Sequence, residues 1–539
     1  MQGTSEKLGK TECRRGKAQA ETLRQKDEDF TDFSVFSRCV FEVAARVGNF
    51  FYCSEVLRKM NMDALNALLG KIDGWVWGIP LIALILAVGA LLTVRTGLIQ
   101  VRHLPKAIRY MLQNEEDGEG DVTSFGALCT ALSATIGTGN IVGVATAIAA
   151  GGPGALFWME VAAFLGMATK YAEGLLAVKY RTIDQNGNVL GGPFYYIEKG
   201  MGASWKWLAK LFAVFGMLVG ILGIGTMTQI NGITAAVQNF FDPEKAQVAF
   251  RIGEASYAWP TVISGILVTL FAALVIIGGI KRIAKVSEIV VPFMAVLYFV
   301  CGILLIVCNI TKVPAAIGLV VRSAFNPQAA LGGVLGATIA ITMKSAMQNG
   351  IARGIFSNES GIGSAPIAAA AAKTKEPVRQ GLVCMTGTFF DTIIICTITG
   401  LAIVLTGAYV PAMTGEKVGV EVTTLAFTEG LPFSSGVSSF LLMISLVFFA
   451  FTTILGWDYY SEKCLQYLVG NKKAILLSFR VLYILAVFVG PYLKVDFVWT
   501  LADIVNGLMA FPNLVALFAL NGVVARETKD YLKRVLKIG

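Results

Sequence analysis

Eleven stretches of mainly apolar residues, each long enough to cross a bilayer, follow one another between residues 75 and 523. A helix needs about 20 such residues to span hydrocarbon. Lipid offers no partner to a backbone N–H or C=O, so each crossing has to satisfy its own hydrogen bonds as a helix. The stretches are 75–94, 125–150, 154–178, 207–239, 260–280, 284–310, 331–372, 377–407, 435–457, 474–491 and 497–523. They predict an all-α polytopic membrane protein. Hydrophobic residues make up 55% and charged residues 15% of the 539, and the mean hydropathy is +0.66. That balance excludes a soluble core inside a polar coat.

The formal charge of +9 lies in short connections and forms no stripe, so it points to topology and not to nucleic acid. Connections on one side hold 22 basic residues, among them Arg102, Lys179, Lys281, Lys373, Lys472 and Lys533. The other side, apart from the N-terminal tail, holds six: Lys245, Arg251, Lys312, Arg322, Lys417 and Lys494. This asymmetry puts the C-terminus in the cytoplasm and the N-terminus outside. Residues 1–59 carry eleven basic residues and no apolar region followed by a small-residue cleavage site. They are expected to be a disordered tail, or an extension ahead of a translation start at Met60 or Met62. The nine cysteines show no ligand spacing, and the single histidine, His103, excludes a histidine-based metal site or triad. No HExxH or GxSxG motif is present. An enzyme is not expected.

Two stretches are interrupted by similar chemistry. One carries Ala134-Thr-Ile-Gly-Thr-Gly-Asn140 and the other Phe356-Ser-Asn-Glu-Ser-Gly-Ile-Gly-Ser-Ala-Pro366. A helix breaks at bilayer depth only where protein or water satisfies the break, and a matched pair of such breaks marks the binding site of a transporter. With 75–94 set aside as an extra span, ten spans divide into 125–310 and 331–523, each opening on its broken helix. An odd number of spans per half inverts one half relative to the other. The transporter domain is thus expected over 60–539, with 524–539 as a cytoplasmic tail.

A broken helix offers free N–H groups from one half-helix and free carbonyls from the other, which suits an amino-acid zwitterion. Its carboxylate is expected at the backbone of Gly139 and Asn140, with hydroxyls from Thr135 and Thr138. The second break, including Phe356, Ser357 and Gly361, faces it and receives the ammonium through carbonyls. Gly139 and Gly143 could equally form a small-residue packing face. Gln229, in Thr226-Met-Thr-Gln-Ile-Asn-Gly232, is an amide at depth and is expected to touch substrate.

Gly137-Thr-Gly-Asn-Ile-Val-Gly143, Gly151-Gly-Pro-Gly-Ala-Leu-Phe-Trp158-Met159, Met167-Ala-Thr-Lys-Tyr-Ala-Glu173, Arg353 to Pro366 and Ile454-Leu-Gly-Trp-Asp-Tyr-Tyr460 closely resemble the motifs of the sodium:alanine (alanine or glycine:cation) symporter family. The resemblance runs from about Met62 to about Gly522. It implies a LeuT-like fold of two inverted five-helix repeats, with two discontinuous helices and one extra N-terminal span. The implied activity is symport of a small neutral amino acid with Na⁺ by alternating access across a cell inner membrane. The resemblance assigns Thr452 and Thr453 as Na⁺ ligands, with carbonyls near Gly137. It also favours Phe356 and Trp457 as walls of a small pocket. Glu160 and Asp458 stand where the family is usually neutral, which leaves a proton-coupled carrier open. A transporter-like amino-acid sensor keeps the same site. Lys170, Glu173, Lys344, Arg353, Glu359, Asp391, Arg480 and Asp503 lie in or beside spans and read mainly as gate or structural pairs. Oligomeric state is not legible.

Overall fold

The computed structural model describes residues 62–113, 120–184, 189–252, 255–327, 341–493 and 495–536. The tail 1–59 and the start of the stretch 331–372 lie outside these residues. Residues 69–539 form one compact unit.

Among the described residues, nine helices are long and apolar enough to cross a membrane. They are α1 (Asn66–Arg95), α4 (Gly154–Lys179), α5 (Ala203–Phe241), α6 (Trp259–Ile276), α7 (Gly279–Cys308), α10 (Pro377–Thr406), α11 (Ser435–Val469), α12 (Lys473–Tyr492) and α13 (Phe497–Val535). A tenth crossing is a pair, α2 (Ser124–Thr135) and α3 (Val144–Gly151), bent by 51° around a π-helical turn at Gly139–Gly143. The second interruption separates α8 (Met343–Asn358) from α9 (Ala365–Ala369). Ten of the expected stretches therefore have a counterpart here, and the eleventh is described only from residue 341.

Burial ranks the spans. The most apolar window of α4 is 83% buried, whereas those of α6 and α7 are 33% buried. Thus α4 runs through the protein interior, while α6 and α7 leave broad apolar sides uncovered by protein. Glycine sets the close approaches to α4. A Cβ on Gly381 or on Gly350 would strike the α4 backbone, so those positions admit no side chain without movement.

Each break has a local cause. Past α2 the chain turns extended at Ile136, with φ −76° and ψ 96°. Past α8, Glu359 is left-handed at φ +57°, and Gly361 and Gly363 follow at +88° and +91°. Only glycine occupies such a conformation without strain, so the Gly361-Ile-Gly363 pair fixes the second break. Pro366 then begins α9, where a missing N–H costs nothing. A third interruption was not expected. The stretch 207–239 holds two helices, Lys206–Leu222 and Met227–Phe241, parted at Gly223-Ile-Gly-Thr226. Its carbonyls are satisfied from elsewhere: Tyr483 donates its hydroxyl to Gly225 O at 3.0 Å and Thr226 to Ile221 O at 2.6 Å.

The entry to α2 and the exit from α9 are stapled together. Asp121 N and Val122 N donate to Ala371 O, Lys373 N donates to Val122 O, and Val122 pairs in parallel with Ala372. Arg181, just beyond α4, donates from its guanidinium to the carbonyls of Ala370, Ala372 and Thr374 at 2.7 to 2.9 Å.

Candidate functional site

Three interrupted helices meet at Gly137–Asn140. The Gly137 N–H is accepted by the side-chain oxygen of Asn140 at 2.9 Å. The next N–H, of Thr138, is accepted by Gln229 Oε1 at 2.9 Å. Gln229 in turn donates from Nε2 to Ile224 O at 2.9 Å, inside the interruption of α5. One amide side chain thereby satisfies two broken helices, which is why an amide is tolerated here. Thr453 Oγ1 of α11 lies 3.2 Å from Ile136 O and 3.0 Å from Phe449 O of its own helix, so its one proton is shared between the break and α11. A Cβ on Gly137 would lie 2.6 Å from Thr453 Oγ1 and 2.8 Å from Gln229 Oε1, so the glycine is what permits this convergence.

The two breaks are in direct contact. A Cβ on Gly139 would meet Ser357 Cα at 3.1 Å and Phe356 Cδ1 at 3.3 Å. Both breaks are also tied to one carboxylate. Asn140 Nδ2 donates to Asp391 Oδ1 at 2.8 Å, and Ser357 Oγ donates to Asp391 Oδ2 at 2.9 Å. Thr392 donates to Oδ2 as well, at 2.7 Å. Asp391 sits in a π-helical stretch of α10, Phe389–Cys396. Such turns are uncommon and concentrate at functional sites. Thr138 Oγ1 is buried at this junction and has no hydrogen-bond partner among the described residues.

On the α9 side, Glu359 accepts from Trp457 Nε1 at 2.8 Å and from Ser364 Oγ at 2.5 Å. Glu173 of α4 accepts from Gly361 N at 3.1 Å and from Asn513 Nδ2 at 2.7 Å, and Asn513 also donates to Gly361 O at 2.9 Å. Glu173 and Asn513 thereby satisfy the backbone N–H and C=O of Gly361 in the second break. On the α8 side, Arg353 makes a bidentate pair with Asp503 of α13 at 2.8 and 2.9 Å. Its guanidinium lies 5.6 Å from the Phe356 ring centroid and 5.1 Å from that of Trp499, and those rings stack at 5.0 Å. Beyond the pair opens a cavity of about 700 Å³, lined by Val142, Asn231, Gln238, Lys245 and Gly419 among others.

The structure thus brings together Gly137, Thr138, Gly139, Asn140, Gln229, Phe356, Ser357 and Thr453. Four candidates lie apart from that junction or turn away from it. Thr135 bonds back to Ala131 O and Leu132 O and borders a separate small cavity beside Lys170. Thr452 bonds back to Phe448 O and Phe449 O and lies against Met294 Sδ. Gly361 is held by Glu173 and Asn513, and Trp457 is bound to Glu359. Asn140 is present, but its side chain braces the break. Asp391 is the residue whose place was not foreseen. Its signal was a lone carboxylate in the apolar stretch 377–407.

The model of the sodium:alanine symporter family matches residues 62–538. A sodium/alanine symporter, AgcS, of Methanococcus maripaludis is 45% identical over 475 residues, covering 87% of this chain and 98% of that one. An uncharacterized transporter of Haemophilus influenzae is 54% identical over 471 residues, covering 87% and 97%. The crystal structure of MhsT in complex with L-phenylalanine aligns with a TM-score of 0.50 at 13% identity, covering 76% of this chain and 99% of that one. That likeness establishes a LeuT-like fold. With a family match over nearly the whole described chain and these relatives, the protein belongs to the sodium:alanine symporter family.

Proposed function

We propose that the protein imports a small neutral amino acid together with Na⁺, by alternating access around the junction of the two breaks. The observation that carries this reading is the contact of Gly139 with Phe356 and Ser357, both breaks being braced by Asp391. The amino-acid carboxylate is assigned to the backbone around Gly139 and to the unpartnered Thr138 hydroxyl. Its ammonium is assigned to Ser357 and the carbonyls that follow α8. Phe356 closes a space suited to alanine, glycine or serine. Na⁺, the co-transported ion, is assigned to Thr453 and the carbonyls of Ile136 and Gly137, since hard neutral oxygens suit a singly charged ion that must leave again. Thr452 supports this assignment less well, because the carbonyls its hydroxyl meets belong to its own helix, whereas Thr453 also reaches Ile136 O.

In this reading the spans form two inverted repeats of five, and the side rich in basic residues is cytoplasmic. Every group that lines the 700 Å³ cavity then lies toward the outside, and Arg353–Asp503 closes the outer path over Phe356. One Na⁺ moving through about 100 mV contributes about 2.3 kcal/mol, enough for roughly forty-fold accumulation at about 1.4 kcal/mol per decade. The test is counterflow of labelled alanine in proteoliposomes. Exchange that requires Na⁺ is expected. Exchange driven only by a pH gradient makes the protein a proton-coupled carrier, and binding with no flux makes it a sensor.

A further inference from the structure

The extra span α1 lies outside the five-plus-five scheme, yet it ends at the most tightly built ion pair of the outer path. Trp77 donates from Nε1 to the backbone carbonyl of Asp503 at 2.9 Å. A Cβ on Gly507, one turn further along α13, would strike Val76 and lie 3.2 Å from Trp77 Nε1 and 3.4 Å from Leu81. The approach of α1 to α13 is therefore built into the sequence of both. Asp73, four residues before Trp77 and so on the same face of the helix, lines the same cavity as Arg353 and Asp503. It is close enough to feel both charges, and its Oδ1 is buried with no hydrogen-bond partner among the described residues.

One guanidinium thus shares a cavity with two carboxylates and is bonded to one of them. Opening the path over Phe356 requires the Arg353–Asp503 pair to part, which leaves a cation without a counter-charge beside the stacked rings of Phe356 and Trp499. An uncompensated charge at such a site is strongly unfavourable. A second carboxylate on a helix that does not belong to the moving pair removes that obstacle. We propose that Asp73 is the alternative partner of Arg353: the guanidinium passes from Asp503 to Asp73 as the outer path opens, and α1 serves to hold Asp73 in position. Asp73 is in this sense a positioning residue of the transport cycle.

The inference rests on the transport reading above, but its test reads accessibility and not flux. Cys396 lies at the junction behind the pair, fully buried with its Sγ 3.3 Å from Ser357 Oγ. In the full chain with the exposed Cys308 replaced by serine, the rate at which a membrane-impermeant thiol reagent modifies Cys396 in right-side-out vesicles, read by mass spectrometry, reports opening. Asp73→Asn and Asp73→Ala are expected to slow modification at least five-fold, and Asp73→Glu to retain the parent rate. Asp503→Asn is expected to speed it by a similar factor. In an Arg353→Gln background, Asp73→Asn should change nothing, because there is no guanidinium to hand over. An unaltered or raised rate in D73N, or a slowing that persists without Arg353, overturns the proposal. Counterflow of labelled alanine by the same C308S chain judges the transport reading separately. If exchange is absent while D73N still slows modification, only that reading fails.

Discussion

Asp391 accepts hydrogen bonds from three side chains on three different segments, and that arrangement determines what its replacement should do. An asparagine of the same shape turns at least one of these acceptors into a donor facing Asn140, Ser357 or Thr392. A hydrogen bond to a charged group is worth about 1.5–3 kcal/mol. D391N is therefore expected to lower alanine uptake by more than ten-fold while the protein still reaches the membrane, as uptake normalised to surface amount will show. The two threonines of α11 should separate. Both hydroxyls meet carbonyls of α11, but Thr453 also reaches Ile136 O, whereas Thr452 otherwise lies against Met294. T453V is expected to raise the Na⁺ concentration for half-maximal uptake about ten-fold, and T452V to shift it less than two-fold. Equal shifts would remove the distinction drawn here. Residue types were legible at this scale: glycines at 137 and 139, an amide at 229 and paired hydroxyls at 452 and 453 all stood out in apolar surroundings. Their partners were not, because Gln229 Oε1 and Thr138 N are 91 residues apart and no local pattern encodes such a pairing.

Among the elements, the two glycine-rich breaks were readable because Gly137, Gly139, Gly361 and Gly363 stand where a helix would otherwise continue. The interruption of α5 was not, since Leu222-Gly-Ile-Gly225 keeps its apolar character and its loose carbonyls are met by side chains outside it, Gly225 O by Tyr483 and Ile224 O by Gln229. The π-helical stretch around Asp391 was hidden for a similar reason, its sequence being as apolar as an ordinary turn. Backbone conformation at the second break yields a graded prediction. A Cβ on Gly363 would lie 2.8 Å from Phe212 and 2.9 Å from Asn513, whereas one on Gly361 would first meet Leu514 at 3.1 Å. Both positions add left-handed strain of roughly 1–2 kcal/mol. G363A should thus lower the melting temperature in detergent more than G361A does. Outside the spans, the helix Pro193–Gly200 is held by Glu198, which meets Lys206 at 2.8 Å and the Tyr467 hydroxyl. The hydrogen bond from Lys206, then that from Tyr467, holds the Glu198 carboxyl below its ordinary value of 4.5. Because the folded state favours the charged form, this contribution is present above about pH 4.5 and is lost as pH falls through the lower, folded value. E198Q is expected to cost less than about 1 kcal/mol at pH 7, and thermal melts of variant and parent should draw together as pH is lowered below 4.5.

On the scale of the whole molecule, the order of ten apolar stretches was legible because lipid leaves a chain so few ways to satisfy its backbone. Their burial was legible in part, since α4 is less apolar than α7 and carries Lys170 and Glu173 in its length, as suits a helix surrounded by protein. The staple between the entry to α2 and the exit from α9 carries a consequence for motion. Backbone bonds join Val122 to Ala371 and Lys373, and Arg181 secures the carbonyls on either side. At that end the two broken helices share a single degree of freedom. Neither can swing out alone without tearing a miniature parallel sheet and exposing its amides. Motion at that end is therefore expected to displace this pair as one body against α11, whose Gly456 packs against Ala134.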